Sequence, residues 1–272
     1  MNSSSAERLV RRMSRLAGAV AVAASAVLAA AAPAPAPVAA IDLAKPFATR
    51  SAWRFTATQG PDVDDFGGAS GDKAPGAIAL CLRKDKGPCD AQLQSSLRAG
   101  SGYDEFAQPH YLNQAEVVHG AAGRPLLLVQ TASVHSGDGD QLVFTQALAY
   151  RRDTDRFVRV YGHSTGRNNN QEVRFIAAGP LKGDIISAEP TEKAPFDFWI
   201  SVSSLASADT YKEVLRFRSA TRYGDGNPLG VIDSEMPNIE LRLGVWRPGS
   251  PLPLPAGACP KPRLKDMALW CS

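Results

Sequence analysis

PLLLVQTASVH at residues 125–135, GDGD at 137–140 and QLVFTQALAY at 141–150 read as two strands joined by a polar turn. The first segment is an apolar run rich in Leu and Val. Gly and Asp between the two are the residues tight turns need, because both accept backbone conformations that bulkier residues resist. This is the strongest hairpin signal in the chain, and it sets the reading of its neighbours.

Working outward, Arg156–Tyr161 is a further strand, entered through the turn Asp153-Thr154-Asp155. Trp53–Thr58 alternates apolar and polar residues, the period of a half-buried strand. Gln171–Ala177, Phe196–Val202 and Tyr211–Tyr223 complete the set, and Phe196, Phe198, Ile200 and Val202 put one wholly apolar face on their strand. Consecutive strands joined by short turns imply a mainly β fold of antiparallel sheets, arranged as a sandwich, a barrel or a propeller-like meander. One or two short helices are expected beside them. Ala91–Leu97 is one candidate, N-capped by Asp90. Ser234–Leu243 is the other, although Ile239, Leu241 and Leu243 also fit a strand period.

Residues 1–40 have the order of a secretory leader. Arg8, Arg11, Arg12 and Arg15 form a basic start, an Ala/Val-rich run follows from Leu16 to Ala32, and a Pro/Ala stretch ends in Val38-Ala39-Ala40. The expected cut is after Ala40, leaving residues 41–272 as one β-rich exported domain, periplasmic or secreted. The run is too short and too rich in Ala for a durable membrane anchor, so no stable insertion of the mature chain is expected. No cysteine lies near the cut to carry a lipid, and Ser14 and Arg15 weaken a twin-arginine reading of Arg11-Arg12.

Removing the leader cancels the net charge. The chain holds 30 Lys+Arg and 27 Asp+Glu; residues 1–40 contain four Arg and one Glu, so 26 of each remain. A neutral chain lacks the basic surface that phosphate backbones require, which argues against nucleic acid as a partner.

Outside the cytoplasm an even cysteine count reads as disulfides. Cys81, Cys89, Cys259 and Cys271 allow three pairings, of which the local one is simplest: Cys81–Cys89 and Cys259–Cys271. A zinc site lacks the spacing, since no C-x-x-C is present. No metal and no cofactor are expected.

Four constellations are candidates for function. The loop from His163 to Glu172 concentrates uncharged donors and acceptors in Asn168, Asn169 and Asn170, flanked by Arg167. Asp225 and Asn227 form a second polar loop. A second constellation, the acidic loops at Asp62, Asp64 and Asp65 and at Asp138 and Asp140, departs from the calcium-loop pattern and reads better as turn chemistry. Lys212, Arg216, Arg218 and Arg222 share one face of a strand by period-two alternation and form a basic stripe, which reads best as a solvated sheet face paired with neighbouring acids. The histidines, His110, His119, His135 and His163, show no metal spacing. Hydrolase signatures such as G-x-S-x-G and H-E-x-x-H are missing. The expectation is therefore a non-enzymatic exported β-domain that binds a ligand or an envelope component. Its candidate surface is His163, Arg167, Asn168, Asn169, Asn170 and Glu172, joined by Asp225 and Asn227. The competing expectation is an exported hydrolase using His135 or His163 with a nearby Asp as general base.

Overall fold

The computed structural model describes residues 37–64, 71–90, 109–120, 123–135, 141–166, 172–191, 197–206, 210–219, 226–254 and 258–272. Within them the chain is mainly β and all strand pairing is antiparallel. A first sheet holds β1 (Pro37–Asp42), β2 (Trp53–Gln59) and β5 (Ile78–Lys84) in that order, with the one-turn helix α1 (Ala44–Phe47) between β1 and β2. A second sheet is a meander of β6 (Tyr111–His119), β7 (Pro125–Ala132), β8 (Val143–Arg151) and β9 (Arg156–Thr165). A third repeats that plan with β10 (Glu172–Phe175), β11 (Ile185–Pro190), β12 (Phe198–Leu205) and β13 (Tyr211–Arg218). Two short ribbons, β3 (Val63–Asp64) with β4 (Lys73–Ala74) and β14 (Pro262–Lys265) with β15 (Ala268–Cys271), accompany them. The helix α2 (Val231–Arg242) precedes the last ribbon.

The sheets stack because each carries apolar side chains that must leave water. Trp53, Phe55, Ile78, Leu80 and Leu82 of the first sheet pack on Leu127, Val129, Leu148 and Phe157 of the second. The other face of the second sheet, with Leu126, Leu128, Ala147 and Ala149, packs on Ile185 and Tyr211 of the third. The far face of the third sheet buries Ile186, Ile200, Val202 and Phe217 under Ile232 and Ile239 of α2. The second sheet is thus covered on both sides. Leu126, Leu127, Leu128 and Val129 are all 0–1% exposed, which is why residues 125–135 read as an unbroken apolar run rather than an alternation. In β2, covered on one side only, Trp53 and Phe55 are buried while Arg54 between them is exposed.

The ambiguous segment 234–243 is helical up to Arg242, with Leu243 as its C-cap. Ile232, Met236, Ile239 and Leu243 recur at helical spacing and all pack into one cluster against the third sheet, so the 3.6-residue period prevails over the period of two. The other candidate helix, Ala91–Leu97, lies outside the described residues. Both local disulfides are present: Cys81–Cys89 closes the turn after β5, with Cα atoms 5.2 Å apart, and Cys259–Cys271 pins β15, with Cα atoms 5.5 Å apart. Residues 37–40, read from sequence as the end of the leader, belong to β1 and pair with Thr56, Ala57 and Thr58.

Of the register shifts among the described strands, those in β9 and β13 re-aim side chains near the third sheet. Between β12 and β13, Val202 opposes Leu215 but Ser203 opposes Glu213, leaving Val214 unpaired. The alternation along β13 therefore flips there. Arg216 and Arg218 share a face with Glu213 and Tyr211, whereas Lys212 joins Leu215 and Phe217 on the other. The basic stripe expected from strict period two is split, and an acidic residue takes its place beside Arg216. In β9 the extra residue is Val160, since Ala147 opposes Tyr161 and Leu148 opposes Arg159.

Candidate functional site

The second sheet covers only part of the third sheet's inner face. Ile185 and Tyr211 lie under it, along with Val173, Phe175 and Leu205. Register puts Ser187, Glu189, Ser201, Ser203, Glu213 and Arg216 on that same face, and these polar residues line an open cleft of about 890 Å³ against β9. Across its floor Ser187, Ser201 and Arg216 form one row on three strands. Glu189 lines the cleft from the next row, whose other members, Trp199 and Arg218, continue the same face beyond the lining. The opposite wall is the edge strand β9, which presents Arg159, Tyr161, His163 and Ser164.

His163 and Glu189 span the cleft from wall to floor. The imidazole Nε2 lies 2.6 Å from Glu189 Oε1, and the two side chains are 33% and 35% exposed. Among the described residues neither side chain makes another hydrogen bond, so the second carboxylate oxygen and His163 Nδ1 keep their hydrogen-bonding capacity. Ser201 Oγ donates to Glu213 Oε2 at 3.0 Å. The Arg216 guanidinium lies over the Trp199 ring, 5.0 Å from its centroid. Arg159 lies 5.9 Å from the Phe144 ring centroid. It folds back over Gly162, where a Cβ would come within 3.1 Å of Arg159 Cδ; the missing side chain gives the arginine its place.

Two tyrosines support the site. Tyr161 and Tyr211 meet edge to face with ring centroids 5.5 Å apart, and the Tyr211 hydroxyl donates to the Gly183 carbonyl at 2.7 Å. Burial pushes both phenols up from their ordinary values, with the charge of Glu189 adding to the effect at Tyr161 and that of Asp184 at Tyr211. Both stay protonated at neutral pH, with the Tyr211 proton committed to Gly183.

The residues expected from sequence are divided between two places. His163 is in the cleft, on β9 rather than in a loop. Glu172 pairs with Ala188 and so lies on the opposite face of the third sheet from Glu189. It forms an ion pair with Arg174, which also binds Asp233, and its Oε2 accepts from the Ile232 amide at 3.3 Å. A carboxylate there meets the positive end of α2 and its unsatisfied amides. Asn227 sits near the same end of the helix. Its side chain donates to Leu269 O at 2.8 Å and Ser234 Oγ at 3.1 Å, and accepts from the Leu229 and Cys271 amides at 3.3 Å each. Glu172 and Asn227 thus converge on α2 and the terminal ribbon. Arg167, Asn168, Asn169, Asn170 and Asp225 lie outside the described residues. His135 lies 6.3 Å, ring to ring, from Tyr111. The carboxylate facing His163 is a Glu and not an Asp.

Glu189, Ser187, Ser201, Ser203 and Glu213 were not anticipated, and Arg216 was expected only as part of the basic stripe. Their signal in the sequence is the alternation of Ser201 and Ser203 with Ile200 and Val202, which a solvated sheet face produces equally well. Among the described residues no group of three or more His, Cys, Asp or Glu could hold a metal ion.

A second polar cluster lies away from the cleft. Asp155, at the β8–β9 turn, accepts from the Trp53 indole at 3.1 Å, the Tyr150 hydroxyl at 2.7 Å and Ser51 Oγ at 2.7 Å, and pairs with Lys84 at 2.7 Å. Burial opposes its charge, yet hydrogen bonds from Lys84, Ser51, Tyr150 and Trp53 hold the carboxyl well below the usual range. This cluster ties the first sheet to the second.

No family model, curated protein or solved structure matches this chain.

Proposed function

We propose that the protein acts outside the cytoplasm as a β-domain that binds a polar ligand or envelope component in the cleft between β9 and the third sheet. The observation carrying this reading is the His163–Glu189 pair: two half-exposed groups facing each other across an open polar cleft, with hydrogen-bonding capacity to spare. A concavity into which several polar groups converge is where ligand recognition is expected. The leader-like residues 1–40 support export, as do the two disulfides. No helix among the described residues is long and apolar enough to cross a membrane.

The test is a thermal-shift screen of the exported form against polar cell-envelope components, run in parallel on Glu189→Ala. A ligand that stabilises the wild type and not the variant supports the reading; stabilisation shared equally by both counts against it. N-terminal sequencing of the exported protein tests processing. A start at Ile41 fits the cut after Ala40 and shortens β1 to two residues, whereas a start at or before Pro37 keeps β1 whole.

A hydrolase is the second reading, favoured by a His–carboxylate contact in a cleft that also holds serine hydroxyls. Turnover of chromogenic esters, amides or glycosides that is lost in His163→Ala would establish it.

A further inference from the structure

Resting on the cleft as a ligand site, we infer that its ligand is a neutral, hydroxyl-rich one: a sugar chain. The charged residues of the cleft balance, with Arg159 and Arg216 against Glu189 and Glu213. A lining without net charge holds no strong field to draw in an anion or a cation. What it offers is hydrogen bonding at high density. Ser187, Ser201 and Arg216 stand in register on adjacent strands, about 4.8 Å apart, a spacing comparable to one sugar ring. Serine hydroxyls both donate and accept, as sugar hydroxyls do. Carboxylates and guanidinium groups are planar forks that engage two adjacent hydroxyls at once.

The same face supplies an apolar plate beside the cleft lining, next to Glu189. Trp199 lies beside Glu189 in the register, is 39% exposed, and has Arg216 over its ring. The C–H face of a sugar packs on such an indole while its hydroxyls reach the neighbouring forks. The β12–β13 bulge makes this arrangement possible, since without it Lys212 would occupy the face that Glu213 now shares with Arg216.

The experiment is titration of the exported protein with neutral tetrasaccharides of glucose and of N-acetylglucosamine, and with an uncharged-side-chain tetrapeptide as competitor class, followed by calorimetry and tryptophan fluorescence. A tetrasaccharide should bind with a fluorescence change. Trp199→Phe should abolish that change, Arg216→Ala and Glu213→Gln should each weaken binding about tenfold or more, and Lys212→Ala should leave it unaltered. Thermal unfolding of each variant confirms folding, and Trp199→Phe keeps an aromatic ring at that position. Failure of every tetrasaccharide to bind overturns the sugar inference, as does peptide binding with the same sensitivity to the variants; in the latter case the cleft remains a ligand site. Sugar binding indifferent to all three variants overturns the cleft itself.

Discussion

Asp155 and Glu189 are carboxylates of the same charge in two parts of one stack of sheets, and they are put to different uses. Asp155 is 12% exposed at its side chain and receives four partners, from the turn before β2, from β2 itself, from β5 and from β8. Its oxygens are spent within the fold. Glu189 is 35% exposed, faces an open cleft and has one partner, His163. A carboxylate whose hydrogen-bonding capacity is exhausted internally reads as an anchor. One with capacity left over, directed at a concave solvent-filled space, reads as a site. The comparison also separates Glu172 from Glu189: the former uses both oxygens on Arg174 and the first turn of α2.

The largest difference is expected in stability. Asp155→Ala leaves the buried Trp53 indole N–H without its acceptor, which costs about 1–3 kcal/mol, read as a lower urea midpoint. An unchanged midpoint would remove the distinction between the two carboxylates. Next comes pH. The Asp155 carboxyl is held below its unfolded value of about 4, so its contribution is complete above that pH and is lost as pH falls below it. Wild-type stability should decline on acidification below about pH 4, and Asp155→Asn should flatten that decline; parallel curves for the two proteins would count against the anchor. Glu189→Gln should stay within about 0.5 kcal/mol of wild type, because a partly exposed single contact contributes little, while losing ligand affinity. A large stability loss there would move Glu189 to the side of Asp155. The smallest effect belongs to Lys212→Ala, on the face away from the cleft, which should change neither quantity measurably.

The extent to which the site is legible in the sequence follows from what each signal depends on. The turn holding Asp155 is marked by Asp153-Thr154-Asp155, and Asp155 adopts a positive φ of 50° that Asp tolerates. Its partners, more than 60 residues away in Ser51, Trp53 and Lys84, carry no mark of the association. His163 stands out as one of four histidines, but Glu189 and the serines of β11 and β12 look like any wetted strand face. Strict alternation would place Lys212 beside Arg216, and a single bulged residue, Val214, reverses that.

The sequence by itself determines the mainly antiparallel β architecture, seven of the fifteen strands among the described residues and both disulfide pairings, because these depend on local periodicity, turn residues and short loops. The tertiary structure alone decides that the second sheet is buried on both faces, that Glu172 and Asn227 converge on α2, and that His163 meets Glu189 across a cleft. Those outcomes depend on how sheets overlap and where a bulge shifts the register, and residues far apart in the chain bear no local trace of either.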